Sequence, residues 1–128
     1  MTPYRVMIVD DDGPIRGLLR MTLPAEGFEI TEAVNGEQAL ELVSGSMPDL
    51  VLLDWTMPGR SGAEVLEDLK SRCPGLPVIV LTAETKPPHR ALAEVLGADA
   101  FLTKPFSPLE LLDLVEQFLP ERSGNEPA

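Results

Sequence analysis

Cysteine is almost missing from this chain: Cys73 is the only one in 128 residues. A lone thiol makes no internal disulfide and leaves a structural zinc site without companion ligands. The disulfide-stapled secreted class is therefore excluded, and a reducing cytoplasm is the expected compartment. Aromatic residues make up 5% of the chain, with one Trp and one Tyr, so Leu, Val and Ile must build the core. No apolar run approaches the roughly 20 residues of a membrane-spanning helix, and no membrane contact is expected. The stretch from Met1 to Val9 carries one Arg and runs into an acidic cluster, without the charged, apolar and small-residue regions of a signal peptide. Positive charge is scarce as well: 10 Lys and Arg stand against 21 Asp and Glu, for a formal net charge of −11. Direct nucleic-acid binding relies on Lys and Arg to neutralise phosphates, so none is expected here. A generally acidic surface keeps a domain in solution, but at least three of these acids are placed rather than scattered.

What the chain does have is 44% apolar residues in a length suited to one domain with one core. Five short apolar runs alternate with five amphipathic stretches. The runs are Tyr4–Val9, Glu29–Ala33, Leu50–Leu53, Val78–Leu81 and Ala100–Thr103. Val51-Leu52-Leu53 and Val78-Ile79-Val80-Leu81 are apolar at consecutive positions, the pattern of strands buried on both faces of a parallel sheet. Helical spacing follows each run: Ile15, Leu18 and Leu19; Ala39, Leu40 and Val43; Gly62, Val65, Leu66 and Leu69; Leu92, Val95 and Leu96; Leu111, Leu112, Val115, Phe118 and Leu119. Ser61 with Glu64, and Ser107 with Glu110, read as capping boxes, the second with Pro108 at the first helical position. Gly27, Gly45 and Gly97 stand where helices should stop. A (βα)₅ pattern implies an α/β fold, a single doubly wound parallel sheet with helices on both faces. The domain is expected over residues 1–119, followed over 120–128 by a polar tail or the start of a linker.

In such a sheet the binding crevice lies at the carboxyl ends of the strands, near the point where strand order reverses. At those ends stand Asp10, Asp11 and Asp12 after the first strand, Asp54 after the third, Thr82 after the fourth, and Lys104-Pro105 after the fifth. Carboxylates crowded together repel one another, and a hard cation that prefers oxygen relieves the repulsion. Mg²⁺ binds through one or two carboxylates, keeps several waters and takes its other ligands from phosphate oxygens. A carboxylate in such a site can attack phosphorus and form an acyl phosphate. An ammonium such as Lys104 and a hydroxyl such as Thr82 then supply charge and a hydrogen bond to the phosphoryl oxygens.

Four motifs in order, each at a predicted strand end, carry a family resemblance. They are Ile8-Val9-Asp10-Asp11-Asp12, Leu53-Asp54-Trp55-Thr56-Met57-Pro58-Gly59, Leu81-Thr82-Ala83 and Lys104-Pro105-Phe106. Together they resemble the receiver domain of two-component response regulators, from about Arg5 to Leu119. The resemblance implies a flavodoxin-like sheet of five parallel strands in the order 2-1-3-4-5. It makes Asp54 the phosphoacceptor and also a metal ligand, with Asp10, Asp11 and the backbone carbonyl of Thr56 completing the protein's share of a Mg²⁺ site. Thr82 would follow the phosphoryl group on activation, and Phe101 would occupy an aromatic switch position. Lys104–Pro105 would be a cis peptide, and Gly62 would match the family's glycine in the third helix. The implied partners are a sensor histidine kinase or phosphotransfer protein, and a downstream effector that meets the fourth helix, fifth strand and fifth helix. The implied output is a conformational switch, reset by slow autodephosphorylation, with no small-molecule turnover.

Plainer readings stand beside these. Asp12 precedes Gly13-Pro14 and reads as a helix N-cap. Phe101 suits the core as well as a switch, and Trp55, next to Asp54, is expected at the rim of the metal site. A haloacid-dehalogenase-type phosphatase also uses an aspartyl phosphate, but normally carries its nucleophile after the first strand with a second acid two residues on; here Thr56 holds that offset. A flavodoxin-like FMN carrier needs a Ser/Thr- or Gly-rich phosphate loop after the first strand, where Asp10-Asp11-Asp12 would repel the phosphate. Residues 110–119 contain no Lys or Arg. Leu114 and Glu116 stand about where a dimerising branch of the family places basic residues, so a monomer, or at least no charge-paired dimer, is expected.

Overall fold

The apolar runs form strands and the amphipathic stretches form helices: β1 (Tyr4–Val9), α1 (Gly13–Thr22), β2 (Phe28–Ala33), α2 (Gly36–Gly45), β3 (Leu50–Asp54), α3 (Gly62–Arg72), β4 (Val78–Thr82), α4 (Pro87–Val95), β5 (Ala100–Thr103) and α5 (Pro108–Phe118). The computed structural model describes residues 3–119 except 58, 60 and 84–86, with backbone alone for 87–90; the tail expected over 120–128 lies outside the described residues. All strand pairs are parallel and the order is β2-β1-β3-β4-β5, as expected. The order reverses between β1 and β3, which puts the binding crevice at their carboxyl ends. Register then lines up the chemistry. Val9 pairs with Leu53, Asp54 with Leu81, and Thr82 with Thr103. Residues 10, 54, 82 and 104 therefore emerge along one rim.

Alternation along β3 explains its unbroken apolar run. Leu50 and Leu52 enter a cluster with Ile8, Ile79 and Leu81 under Leu19 of α1 and Leu111 and Val115 of α5. Val51 and Leu53 enter a second cluster with Val9 and Val80 under Val43 of α2, Val65, Leu66 and Leu69 of α3, and Ala93 of α4. Each fully buried aliphatic side chain stabilises the fold by about 1.5–3 kcal/mol relative to exposure, so both layers are needed to hold the central strands in place.

Caps set the helix starts. Asp12 accepts from Ile15 N–H at 3.3 Å, and Ser61 and Glu64 form a reciprocal capping box. The Ser107 hydroxyl accepts from Glu110 N–H at 3.1 Å. Gly97, at φ +106°, turns the chain two residues beyond the end of α4. α2 stops at Gly45, as expected, with Ser46 capping it in an extended conformation. Gly27 lies beyond the α1 cap at Leu23, in the turn into β2.

The fourth helix also departs from its predicted face. Leu92 is 46% and Val95 82% exposed, while Ala93 is buried and Leu96 packs partly beside it. A three-residue spacing fits two stripes about 100° apart on a helix, and the tighter stripe, led by a small residue, is the one that meets the sheet. Among the described residues no helix is long and apolar enough to cross a membrane.

Candidate functional site

Asp10 directly follows β1 and Asp54 is the last residue of β3, so sheet register alone brings the two together. Asp10 is 0% and Asp54 4% exposed, whereas Asp11 faces solvent. One carboxylate oxygen from each of the three lies within 4.8 Å of the others. Lys104, at the end of β5, closes the group: its Nζ donates to Asp10 Oδ2 at 3.0 Å and to Asp54 Oδ1 at 3.2 Å. Its main-chain N–H donates to the Thr82 carbonyl at 2.9 Å, which ties the ends of β5 and β4. Thr82 is buried at the same rim. The peptide between Lys104 and Pro105 is cis, as the motif implies.

Three carboxylates face one ammonium in this space, and the imbalance shows in the titration of Asp54. Burial, then repulsion from Asp10, pushes its pKa up to about 6, against the opposing pull of Lys104 and of the Thr56 N–H. Burial pulls Lys104 down, but hydrogen bonds and attraction to Asp10 and Asp54 outweigh it and leave the ammonium more basic than usual. A cluster with excess negative charge, two buried carboxylates and one exposed one matches what Mg²⁺ demands: hard oxygen ligands with room for water and phosphate. The donor set fits the ion.

Thr56 N–H donates to Asp54 Oδ1 at 3.3 Å, so the backbone curls around the acceptor carboxylate immediately after β3. Contrary to expectation, Trp55 is not at the rim. It is 8% exposed and belongs to the core cluster with Val51, Leu53 and Met57. The two-residue alternation of β3 carries on past its end: odd positions face the α2–α3–α4 layer and Asp54 does not. Phe101 is half-buried and packed against that same cluster, which satisfies its core reading.

Gly62 is explained by contact with this loop. A Cβ there would stand 2.7 Å from Trp55 O and 2.8 Å from Trp55 Cα. The absent side chain lets Gly62 N–H donate to Trp55 O at 3.2 Å.

The motifs gave no sign of Arg16. It donates from Nη1 to the Asp10 carbonyl at 2.8 Å and from Nε to Glu32 Oε1 at 2.8 Å. Glu32 also accepts from Arg20 Nε at 2.7 Å, and its pKa is lowered by those hydrogen bonds, Arg20's first and Arg16's second. A signal was present: two arginines four apart share a helix face, and Glu32 interrupts a strand. Their pairing required the fold.

Known proteins with a similar fold are numerous. The family model for the response regulator receiver domain matches residues 6–116. The phosphate regulon transcriptional regulatory protein PhoB of Pseudomonas aeruginosa is 41% identical over 126 residues, covering 97% of this chain and 55% of that protein. The chain thus spans about half the length of that curated relative. Among solved structures, the chemotaxis protein CheY4 of Vibrio cholerae superposes with a TM-score of 0.86 at 31% identity, over 92% of this chain and 100% of that one. A response regulator of Chloroflexus aurantiacus gives 0.85 at 30% identity, over 91% and 98%. With the fold, the strand-end acids and the family match in agreement, this chain belongs to the receiver domains of two-component response regulators.

Proposed function

We propose that Asp54 accepts a phosphoryl group from a phosphohistidine on a sensor kinase or phosphotransfer protein, and that the domain then switches conformation to control a downstream partner. The observation that supports this most is the convergence of Asp10, Asp11 and Asp54 within 4.8 Å of one another beneath the Lys104 ammonium. Asp10, Asp11, Asp54 and the Thr56 carbonyl would hold Mg²⁺. When bound, the ion neutralises charge on the transferred group. The Asp54 carboxylate oxygen attacks phosphorus, the P–N bond breaks, and its electron pair stays on the imidazole. Lys104 exchanges a carboxylate partner for a phosphoryl oxygen, and the Thr82 hydroxyl donates to another. Residues 1–119 constitute the receiver, 120–128 a tail or linker, and the compartment is the cytoplasm.

Acetyl phosphate with Mg²⁺ is expected to modify Asp54 alone, detected by peptide mapping, and Asp54→Asn is expected to abolish the modification. A phosphoryl group on Ser61 or Thr82 instead would overturn the assignment.

The output surface is the face made by α4, β5 and α5. The exposed residues of α5 include Glu110, Asp113 and Glu116. Two such faces brought together set acid against acid, which costs several kcal/mol across an interface. PhoB is a transcriptional regulatory protein, and an output of that kind is compatible with this chain only without a charge-paired receiver dimer. Light scattering on the beryllofluoride complex at micromolar concentration is expected to report a monomer. A dimer whose contacts map to residues 91–119 would contradict this reading.

A further inference from the structure

Asp10 is held by four separate contacts, and one of them comes from Arg16 of α1, which none of the strand-end motifs contains. Its Oδ1 accepts from Asp12 N–H at 2.9 Å and its Oδ2 from Lys104 Nζ at 3.0 Å. Its N–H donates to the Ala33 carbonyl at 3.1 Å. Its own carbonyl, the one shared with the Asp11 peptide, accepts from Arg16 Nη1 at 2.8 Å. That peptide links the two acids that follow β1, so its orientation sets where both carboxylates point. Arg16 is itself fixed. Its side chain is largely buried, and Glu32 of β2 accepts from its Nε at 2.8 Å. Arg20 braces Glu32 from the far side, at 2.7 Å, and also donates to the Ile30 carbonyl at 3.3 Å. Glu32 pairs in register with Ile8, two residues before Asp10. The brace and the strand end are therefore parts of one sheet edge.

We propose that Arg16 is a positioning residue for the cation site: it holds the Asp10–Asp11 peptide through the Asp10 carbonyl, and Glu32 holds Arg16. The inference rests on the cation reading of the site given above. Two effects of removing Arg16 have opposite signs, which makes the idea testable. A positive charge near a divalent site opposes binding, so loss of the charge alone would tighten Mg²⁺. Loss of an outer contact that orients a metal ligand weakens metal binding by about 10–100-fold. Lysine separates the two, because it keeps the charge but cannot donate to a carbonyl and a carboxylate from one rigid fork.

The test is titration of the metal-free protein with MgCl₂ by isothermal calorimetry, with a thermal melt of each variant to report folding. Arg16→Gln and Arg16→Lys are both expected to raise the Mg²⁺ Kd by about tenfold or more. Arg20→Gln disturbs the same ion-pair cluster without touching Asp10, and is expected to leave Kd within about twofold. Glu32→Gln leaves Arg16 at the Asp10 carbonyl but frees its anchor, and is expected to fall between; it serves as the main variant if Arg16→Gln does not fold. An Arg16→Gln protein that binds as tightly as the parent, or more tightly, overturns the proposal, as does an equal loss in Arg20→Gln. A parent protein that binds no Mg²⁺ would instead overturn the cation site itself, a result distinct from any difference among the variants.

Discussion

Asp54→Asn is expected to make the metal-free protein more stable at neutral pH, by roughly 1–3 kcal/mol, while removing its phosphorylation. Asp54 is buried and its pKa is raised to about 6 in the fold, against about 3.9 in an unfolded chain. The sign follows from proton linkage. Between the two values the folded state holds the proton more tightly than the unfolded one, so stability falls as pH rises through this window. Below about pH 4 the carboxyl is neutral in both states and costs nothing; above about 6 the full penalty of an ionised, crowded carboxylate applies. A rise of that size corresponds to ~2.9 kcal/mol. Asparagine has the same shape and no charge, and Lys104 keeps its bond to Asp10. Urea denaturation of parent and variant at several pH values checks the result. The stability gap should open between about pH 4 and 6 and stay open above that, whereas a gap independent of pH would mean that charge is not its source. Saturating Mg²⁺ should narrow the gap, because an ion bound only by the folded state stabilises the parent by about 2.7 kcal/mol at a hundred times its Kd.

Gly62→Ala is expected to destabilise the fold by about 1–3 kcal/mol, the usual cost of forcing a methyl into a packed site. Helix propensity alone argues the other way, since alanine is favoured over glycine by roughly 0.5–1 kcal/mol inside a helix. Steric contact decides: the added carbon would meet backbone atoms of Trp55 at 2.7 and 2.8 Å, and backbone cannot swing aside as a flexible side chain can. Either α3 backs away from β3 or the Trp55–Thr56 segment moves, and in both cases the Gly62–Trp55 hydrogen bond is strained. Denaturation followed by the fluorescence of Trp55, the only tryptophan, reads both stability and local displacement. An alanine variant as stable as the parent, with an unshifted emission maximum, would show that the loop absorbs the methyl without cost.

Most of the fold and all of the acidic rim could be read from the chain because they depend on local pattern and on register. Consecutive apolar residues marked β3 and β4, and a parallel sheet leaves little choice about which end carries the site. Strand ends were one residue short at Asp54 and Thr82, since a polar residue ends an apolar run before it ends the hydrogen bonding. Trp55 was misplaced by adjacency: being next to Asp54 in sequence puts a side chain on the opposite face of the strand. Leu92 and Val95 were misplaced because two helical stripes carried apolar residues, and only packing against the sheet chooses between them. Arg16 carries a weaker signal, for another reason. Its contact is to a main-chain carbonyl, and no side-chain motif records a backbone partner.

The Lys104 ammonium joins Asp10 and Asp54 across 94 and 50 positions of sequence. Synthesis runs from the N-terminus, so both acids leave the ribosome long before the residue that balances their charge. During that interval the growing chain carries both acids without Lys104 and without edge strand β5. Domains fold largely as units once their last elements are available, and the core includes Leu111 and Val115 of α5, so the carboxylates and Lys104 come together only after α5 has emerged. If Asp54 is the acceptor proposed above, chains stalled short of that point would carry it without the Lys104 contact that completes its site.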